Sequence, residues 1–295
     1  MTQTISAKDV AELRARTGAG MMDCKRALEE AGGDMSRAAE LLRAKGIAKA
    51  EKRAGRSTSQ GLVLGAVTSD ATAGAMIELT CETDFVARNE DFVKAAEALL
   101  SQALAADPTD LDGFLALPST AAPGRTVAEM VKEVSGKTGE SVSLRNVAKF
   151  APGPEGTVGL YQHFNRQVAV LVELVSNASV SRSDAIQALG REIALHIASA
   201  DPIAVRPEDI PADLIDRERR IAEEQVAAEG KPEAVRGKII EGKVRKFIAE
   251  RTLLEQPFVK DDKTTVGQLV ASVSKTVGQA VTVVRFARLK VGESG

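Results

Sequence analysis

A repeat limits what this chain can fold into more than any other feature. Residues 126–150, TVAEMVKEVSGKTGESVSLRNVAKF, align without a gap on residues 265–289, TVGQLVASVSKTVGQAVTVVRFARL. The Thr-Val start, Val131 with Val270, Val134 with Val273, Gly139 with Gly278, and the closing apolar run all coincide. Earlier segments align too: Met76-Ile77-Glu78-Leu79 on Leu171-Val172-Glu173-Leu174, and Ala106-Asp107-Pro108 on Ala200-Asp201-Pro202. Self-similarity of this kind marks one supersecondary unit made twice, so the fold must seat two copies side by side.

The period of the apolar residues gives the unit its content. From Gly61 it is strand-like through Leu62-Val63-Leu64-Gly65-Ala66-Val67; after a turn at Ser69-Asp70 it resumes from Ala75 to Cys81, which predicts a hairpin. A helix is expected from about Asp91 to Ala106, with Phe92, Val93, Ala96, Leu99 and Leu100 on one face and Asp107-Pro108 stopping it. A second helix runs from Thr126 through Val127, Met130, Val131 and Val134 to a strand at residues 142–147. The unit therefore reads strand, strand, helix, helix, strand.

In the second copy an insert separates the helices. Pro207-Glu208-Asp209 opens a charged helix carrying Leu214, Ile215, Ile221, Ala222 and Val226, and Glu229-Gly230-Lys231-Pro232 makes a turn. A return helix carries Val235, Ile239, Ile240, Val244, Phe247 and Ile248. Three-to-four spacing amid charges predicts an antiparallel coiled-coil hairpin: a solvated arm first, a docking surface second. Before the repeat, three short helices make a bundle. Ser6 caps the first, with Val10 and Leu13 inward; after Thr17-Gly18-Ala19-Gly20, Asp23 is expected to cap the second; Gly32-Gly33-Asp34 caps a third carrying Ala38, Leu41 and Leu42. Lys45 to Arg56 is strongly basic and trails into a linker. The expected class is α+β, divided into a helical domain over 1–55, a core subdomain over 56–152, a second over 153–204 and 256–295, and the hairpin over 205–255.

Composition removes several functions. A net charge of −2 over 295 residues gives no general attraction for nucleic acid or anionic membrane. Two cysteines, Cys24 and Cys81, are too few for a disulfide framework. With no apolar leader behind a basic flank and no run of spanning length, the cytoplasm is expected. His163 and His196 lack metal-ligand spacing, so neither metal nor cofactor is expected. Cys24 has no local partner that would make it a nucleophile, and Thr17-Gly18-Ala19-Gly20-Met21-Met22 lacks the ending of a phosphate loop.

Two exposed apolar features remain. Met21 and Met22 sit at a loop end, and Phe85 stands in Cys81-Glu82-Thr83-Asp84-Phe85-Val86-Ala87-Arg88-Asn89, at a strand-to-helix junction. The chain has eight phenylalanines and no tryptophan, so an aromatic outside any periodic pattern is conspicuous. The plain reading is a core plug under the next helix. Against it, the second copy has Ser176-Asn177-Ala178-Ser179-Val180 at this place, with the smaller Val180 standing for Phe85. Binding is favoured over catalysis. A nucleic-acid or ribosome-associated protein using Lys45 to Arg56 and the helical hairpin is the alternative, separable by salt dependence.

Leu13 to Lys25, Thr83-Asp84-Phe85-Val86-Ala87-Arg88, Tyr161-Gln162-His163 and Gln256-Pro257-Phe258-Val259 before Thr265-Val266-Gly267 together resemble bacterial translation elongation factor Ts, nearly end to end. The resemblance implies a guanine nucleotide exchange factor for the GTPase EF-Tu, acting without covalent chemistry, with a ubiquitin-associated-like (UBA-like) bundle, a two-copy core and a coiled coil. It implies that Phe85, within Thr83-Asp84-Phe85-Val86, wedges helices of the GTPase domain apart while Asp84 disturbs the network around its Mg²⁺. Arg14, Met21 and Met22 match residues that dock on the same domain, and His163 matches one that touches another domain of EF-Tu. A small-molecule substrate, a membrane and nucleic acid are not expected as partners, and self-association is left open. Some members continue into a C-terminal helical module; this chain ends at Gly295, and that module's contact is not expected here.

Overall fold

The computed structural model describes residues 5–53, 55–108, 110–229 and 232–293. Three helices come first: α1 (Ala7–Thr17), α2 (Met21–Glu30) and α3 (Met35–Glu51). Ser6 and Asp9 cap α1 reciprocally, Gly18 closes it at φ 70°, and the Asp34 carboxylate accepts the Ser36 and Arg37 amides at the start of α3. Asp23 does not cap α2. Gly20 takes that place, and Asp23 lies in the first turn, where its charge meets the positive end of the helix. Val10, Leu13, Cys24, Ala27, Leu28 and Ala38 form the buried centre.

The first unit follows as β1 (Gln60–Val67), β2 (Gly74–Cys81), the single turn α4 (Asp84–Ala87), α5 (Glu90–Ala105), α6 (Leu111–Ala116), α7 (Val127–Thr138) and β3 (Ser143–Phe150). The second has β4 (Gly156–Gln162), β5 (Val168–Val175) and α8 (Asp184–Ala200). Next come α9 (Ala212–Ala228), α10 (Glu233–Arg251), the short strands β6 (Pro257–Phe258) and β7 (Asp261–Thr265), α11 (Val266–Val277) and β8 (Thr282–Lys290). The result is a mixed α+β protein with small antiparallel sheets, ordered β1-β2-β3 and β4-β5-β8.

The two units agree in detail. Each central strand carries a bulge at the same place, between Glu78 and Leu79 and between Glu173 and Leu174. Each bulge glutamate is buried and bonded across the sheet, Glu78 by Asn146 (2.5 Å) and Glu173 by Arg285 (2.9 Å). Thr126 with Glu129 caps α7, and Thr265 with Gln268 caps α11, by the same reciprocal bonds. Gly139 and Gly278 close these helices in the left-handed conformation, which costs glycine nothing.

The sheets lie face to face through Val63, Met76 and Phe150 on one side and Val158, Ala169 and Leu171 on the other, with each unit's helices outside. β2 is therefore buried along its whole length, which is why it reads as a mostly apolar run interrupted only by Glu78 and Thr80. Each hairpin tip also caps the edge of the opposite sheet. Val63 N–H donates to the Arg166 carbonyl (2.8 Å), and Val158 N–H donates to the Ala71 carbonyl (2.9 Å). Both accepting residues have positive φ, 59° at Arg166 and 55° at Ala71, which aims the carbonyl at the edge strand. An edge amide that would otherwise pair with another chain is satisfied internally.

The insert differs from its expected form. Pro207–Asp209 is a separate 3-10 turn, and α9 opens after Pro211. Helices α9 and α10 pack as a pair, burying Ala222, Val226 and Val244, whereas Ile221 and Val235 are exposed. Two helices share only a narrow seam, and adjacent residues such as 221 and 222 cannot both face it. Part of the expected turn, Gly230 and Lys231, lies outside the described residues. Among the described residues no helix is long and apolar enough to cross a membrane.

Candidate functional site

Between β2 and α5 the chain makes one exposed turn of helix. The Thr83 hydroxyl caps α4 by accepting the Val86 amide (3.4 Å). Val86 and Ala87 face inward against the first core, and Phe85, pointing the other way, is 82% exposed. Asp84 pairs on the surface with Arg88 (3.2 Å). The core-plug reading of Phe85 is thus overturned: Val86 and Ala87 take the inward side of this single turn, and Phe85 is left on the outward side.

The comparison with Val180 also shifts. Seven residues (82–88) separate Cys81 from the cap of α5, Asn89, whereas six (177–182) separate Ser176 from the cap of α8, Ser183. Counted back from the caps, Val180 matches Val86, and both are half-buried against their cores. The first copy's loop is one residue longer, and the second copy's loop carries no aromatic at all.

The loop is held from below by the turn after α7. Glu140 accepts the amides of Glu82 (3.1 Å) and Thr83 (2.9 Å) and the Thr83 hydroxyl (2.6 Å). Glu82 returns the contact by accepting the Ser141 amide (2.7 Å) and pairs with Arg56 (3.3 Å). The Ser141 bond, with Arg56 behind it, holds the Glu82 carboxyl below its ordinary range. Beneath lies Cys81, its thiol pushed up to about 12 by burial and then by the Glu140 carboxylate. It donates to the Thr83 carbonyl (3.1 Å) and stays protonated, so it is no nucleophile.

Met21 and Met22 are 49% and 64% exposed at the start of α2, and Arg14 is exposed on α1. The bundle reaches the first unit where α3 crosses α7 at Gly46 and Gly136; a Cβ on Gly136 would lie 3.1 Å from the Gly46 backbone. The matching position in α11 is Lys275, so this close crossing is open to the first copy alone. A cleft of about 660 Å³, lined by Gly18, Gly20, Asp23, Lys137 and Gly139 among others, brings the methionine loop beside the end of α7. The crossing with the bundle at Gly136 and the Glu140 bonds to the Phe85 loop therefore lie within one short segment, residues 136–141.

His163 follows β4 at the tip of the second hairpin. Its Nδ1 lies 2.7 Å from the Tyr161 hydroxyl, and its ring packs on Phe164 with centroids 4.5 Å apart. Phe164 is 88% exposed and was not singled out by sequence. The logic that picked Phe85, an aromatic in a polar turn, applies to it equally. Gln162 fixes this tip on β1, accepting from Gly65 N–H (2.8 Å) and donating to the Val63 carbonyl (3.1 Å).

The remaining candidates have structural duties. His196 is buried: Val259 N–H donates to its Nδ1 (3.2 Å), so Nε2 carries the hydrogen and donates to Gln256 (2.9 Å). Cys24 is a packed thiol donating to the Ala19 carbonyl (3.6 Å). In the basic segment Lys45 pairs with Glu30, Arg53 donates to the Ser135 carbonyl and Arg56 binds Glu82, which leaves less of its charge for phosphate. Among the described residues no group of acidic, histidine or cysteine side chains could hold a metal ion.

Residues 82–293 match the family model described as Elongation factor TS. Among curated proteins the chain is 43% identical over 297 residues to the elongation factor Ts of Aquifex aeolicus, covering 99% of each. It is 39% identical to that of Lawsonia intracellularis, over 98% of this chain and 99% of the relative. It is 43% identical to that of Symbiobacterium thermophilum, over 98% of this chain and 92% of the relative.

Proposed function

The chain belongs to the elongation factor Ts family, whose members act in translation as nucleotide exchange factors on EF-Tu, and on that premise we propose that Phe85 is the wedge that opens the GTPase. The observation that carries this reading is an 82%-exposed phenylalanine on a braced helical turn that the second copy of the same unit lacks. Asp84 enters with it and disturbs the partner's Mg²⁺ surroundings. Its surface pair with Arg88 opposes this little, since such pairs contribute about 0.2–1 kcal/mol. Arg14, Met21 and Met22 dock on the same domain, His163 reaches another, and Thr83 and Val86 set the turn. In this reading the chain divides into a UBA-like domain (1–55), two core subdomains (56–152; 153–204 with 256–295) and a coiled-coil arm (205–255), works in the cytoplasm, and needs no cofactor of its own.

The energetics set the scale. An exchange factor must bind the nucleotide-free partner more tightly than the loaded one, and each tenfold loss of nucleotide affinity needs about 1.4 kcal/mol of that difference. Burying one phenylalanine contributes about 1.5–3 kcal/mol, one or two powers of ten, so the other contacts must supply the rest. Phe85→Ala is expected to slow GDP release from EF-Tu by about tenfold or more with Tm unchanged, because the removed ring is solvated in the free factor. Stopped-flow release of a fluorescent GDP analogue at saturating factor measures this, and an unchanged rate removes the wedge.

A further inference from the structure

The geometry points to Glu140 as a positioning residue that holds Phe85 ready for insertion, an inference that rests on the wedge reading above. A helix of four residues has no stability of its own, because nucleation fixes several residues for one hydrogen bond. Something else must therefore keep α4 folded with its aromatic in water. Two amides and a hydroxyl at its entrance converge on one carboxylate, and that carboxylate belongs to the turn between α7 and β3, 57 residues further along the chain. Glu82 locks the same two segments in the reverse direction through Ser141.

This brace belongs to one copy. Where the first unit has Glu82, Glu140 and Ser141, the second has Asn177, Gln279 and Ala280. There the Ser176 hydroxyl donates to the Ala280 carbonyl (2.7 Å), and residues 178–180 form a plain turn. The carboxylate thus accompanies the exposed aromatic rather than the unit. Its effect is preorganisation: an aromatic already held in its docking geometry does not have to be ordered during insertion. Because residues 136–141 also carry the crossing with α3, Glu140 sets Phe85 at a fixed place relative to the methionine loop.

The test is a double-mutant cycle in the full-length factor, read by release of a fluorescent GDP analogue from EF-Tu. Glu140→Ala is expected to lower the maximal release rate by about tenfold, while the factor concentration giving half the maximal rate moves by less than about twofold. Glu140→Gln keeps one carbonyl acceptor and should recover part of the loss. In Phe85→Ala, adding Glu140→Ala should slow release no further, because the carboxylate acts through the ring. Normal release by Glu140→Ala, or a loss that simply multiplies with that of Phe85→Ala, overturns the inference. If Glu140→Ala lowers Tm, Glu140→Gln carries the same cycle. Unchanged release by Phe85→Ala overturns the wedge and this inference together; slow Phe85→Ala with normal Glu140→Ala overturns this inference alone.

Discussion

The first and second units are the same fold with different additions, and the contrast separates what both need in order to fold from what only one carries. Both keep the sheet order, the bulge with its buried glutamate, the Thr caps and the glycine stops. They also share a less obvious brace. Gln102 in α5 bonds Pro118 and Thr120, and at the matching place in α8 His196 bonds Gln256 and Val259, each pinning the segment that leads into its unit's last helix. The differences belong to the first unit: the exposed Phe85, the Glu140 brace, and the glycine crossing that admits the bundle. The second unit instead packs more tightly. A Cβ on Gly159 would lie 2.5 Å from the backbone of Gly190, whereas the corresponding residues of the first unit are Leu64 and Ala96.

The sharpest way to break this comparison is at the tight helix. Gly159→Ala forces β4 and α8 apart and should cost about 3 kcal/mol, the upper end for an overpacked core, read as a fall in Tm. At matched folded protein it should leave GDP release unchanged; slow release would mean that the second unit's packing contributes to exchange. A graft comes next. Replacing residues 82–88 by the six residues 177–182 should keep Tm nearly unchanged and slow release by about tenfold or more, as Phe85→Ala does. A graft that still releases GDP normally would show that the loop does not distinguish the copies.

The smallest expected effect concerns the shared brace. Burial holds His196 below its ordinary value of 6.5, so on acidification the unfolded chain takes up the proton first. Its contribution to stability is complete above that value and falls as pH drops toward the folded pKa, by at most about 1.4 kcal/mol per pH unit. His196→Gln installs the residue type of the first unit and should flatten Tm between pH 7 and 5. A Tm that declines as steeply as before would place the acid sensitivity elsewhere.

Much of this was legible before any coordinates. The gapless repeat gave the two sheets and the paired caps because Thr, Glu or Gln, and Gly at fixed offsets mark a helix's two ends whatever lies around it. Phe85 stood out because nothing periodic explained it. What stayed hidden depends on distance or on backbone shape. Glu140 meets its partners 57 residues away, and the left-handed conformations at Ala71 and Arg166 occur at residue types that do not announce them. The one-residue length difference was masked because valine at 180 could be matched to either 85 or 86. Ile221 and Val235 satisfied a helical period but lie outside the seam, since period alone does not fix which residues face a partner.

The order β4-β5-β8 has a consequence in time. The first sheet can close once residue 150 has been synthesised, but the second waits for its final strand, roughly a hundred residues after β5, and the insert must emerge in between. During that interval β5 has an open edge, and it is the last strand, tied by Val291 to Gln167 and by Gly292 to Glu78, that seals both units at once. For as long as that strand is missing, one half of the molecule is whole and the other is an unfinished sheet.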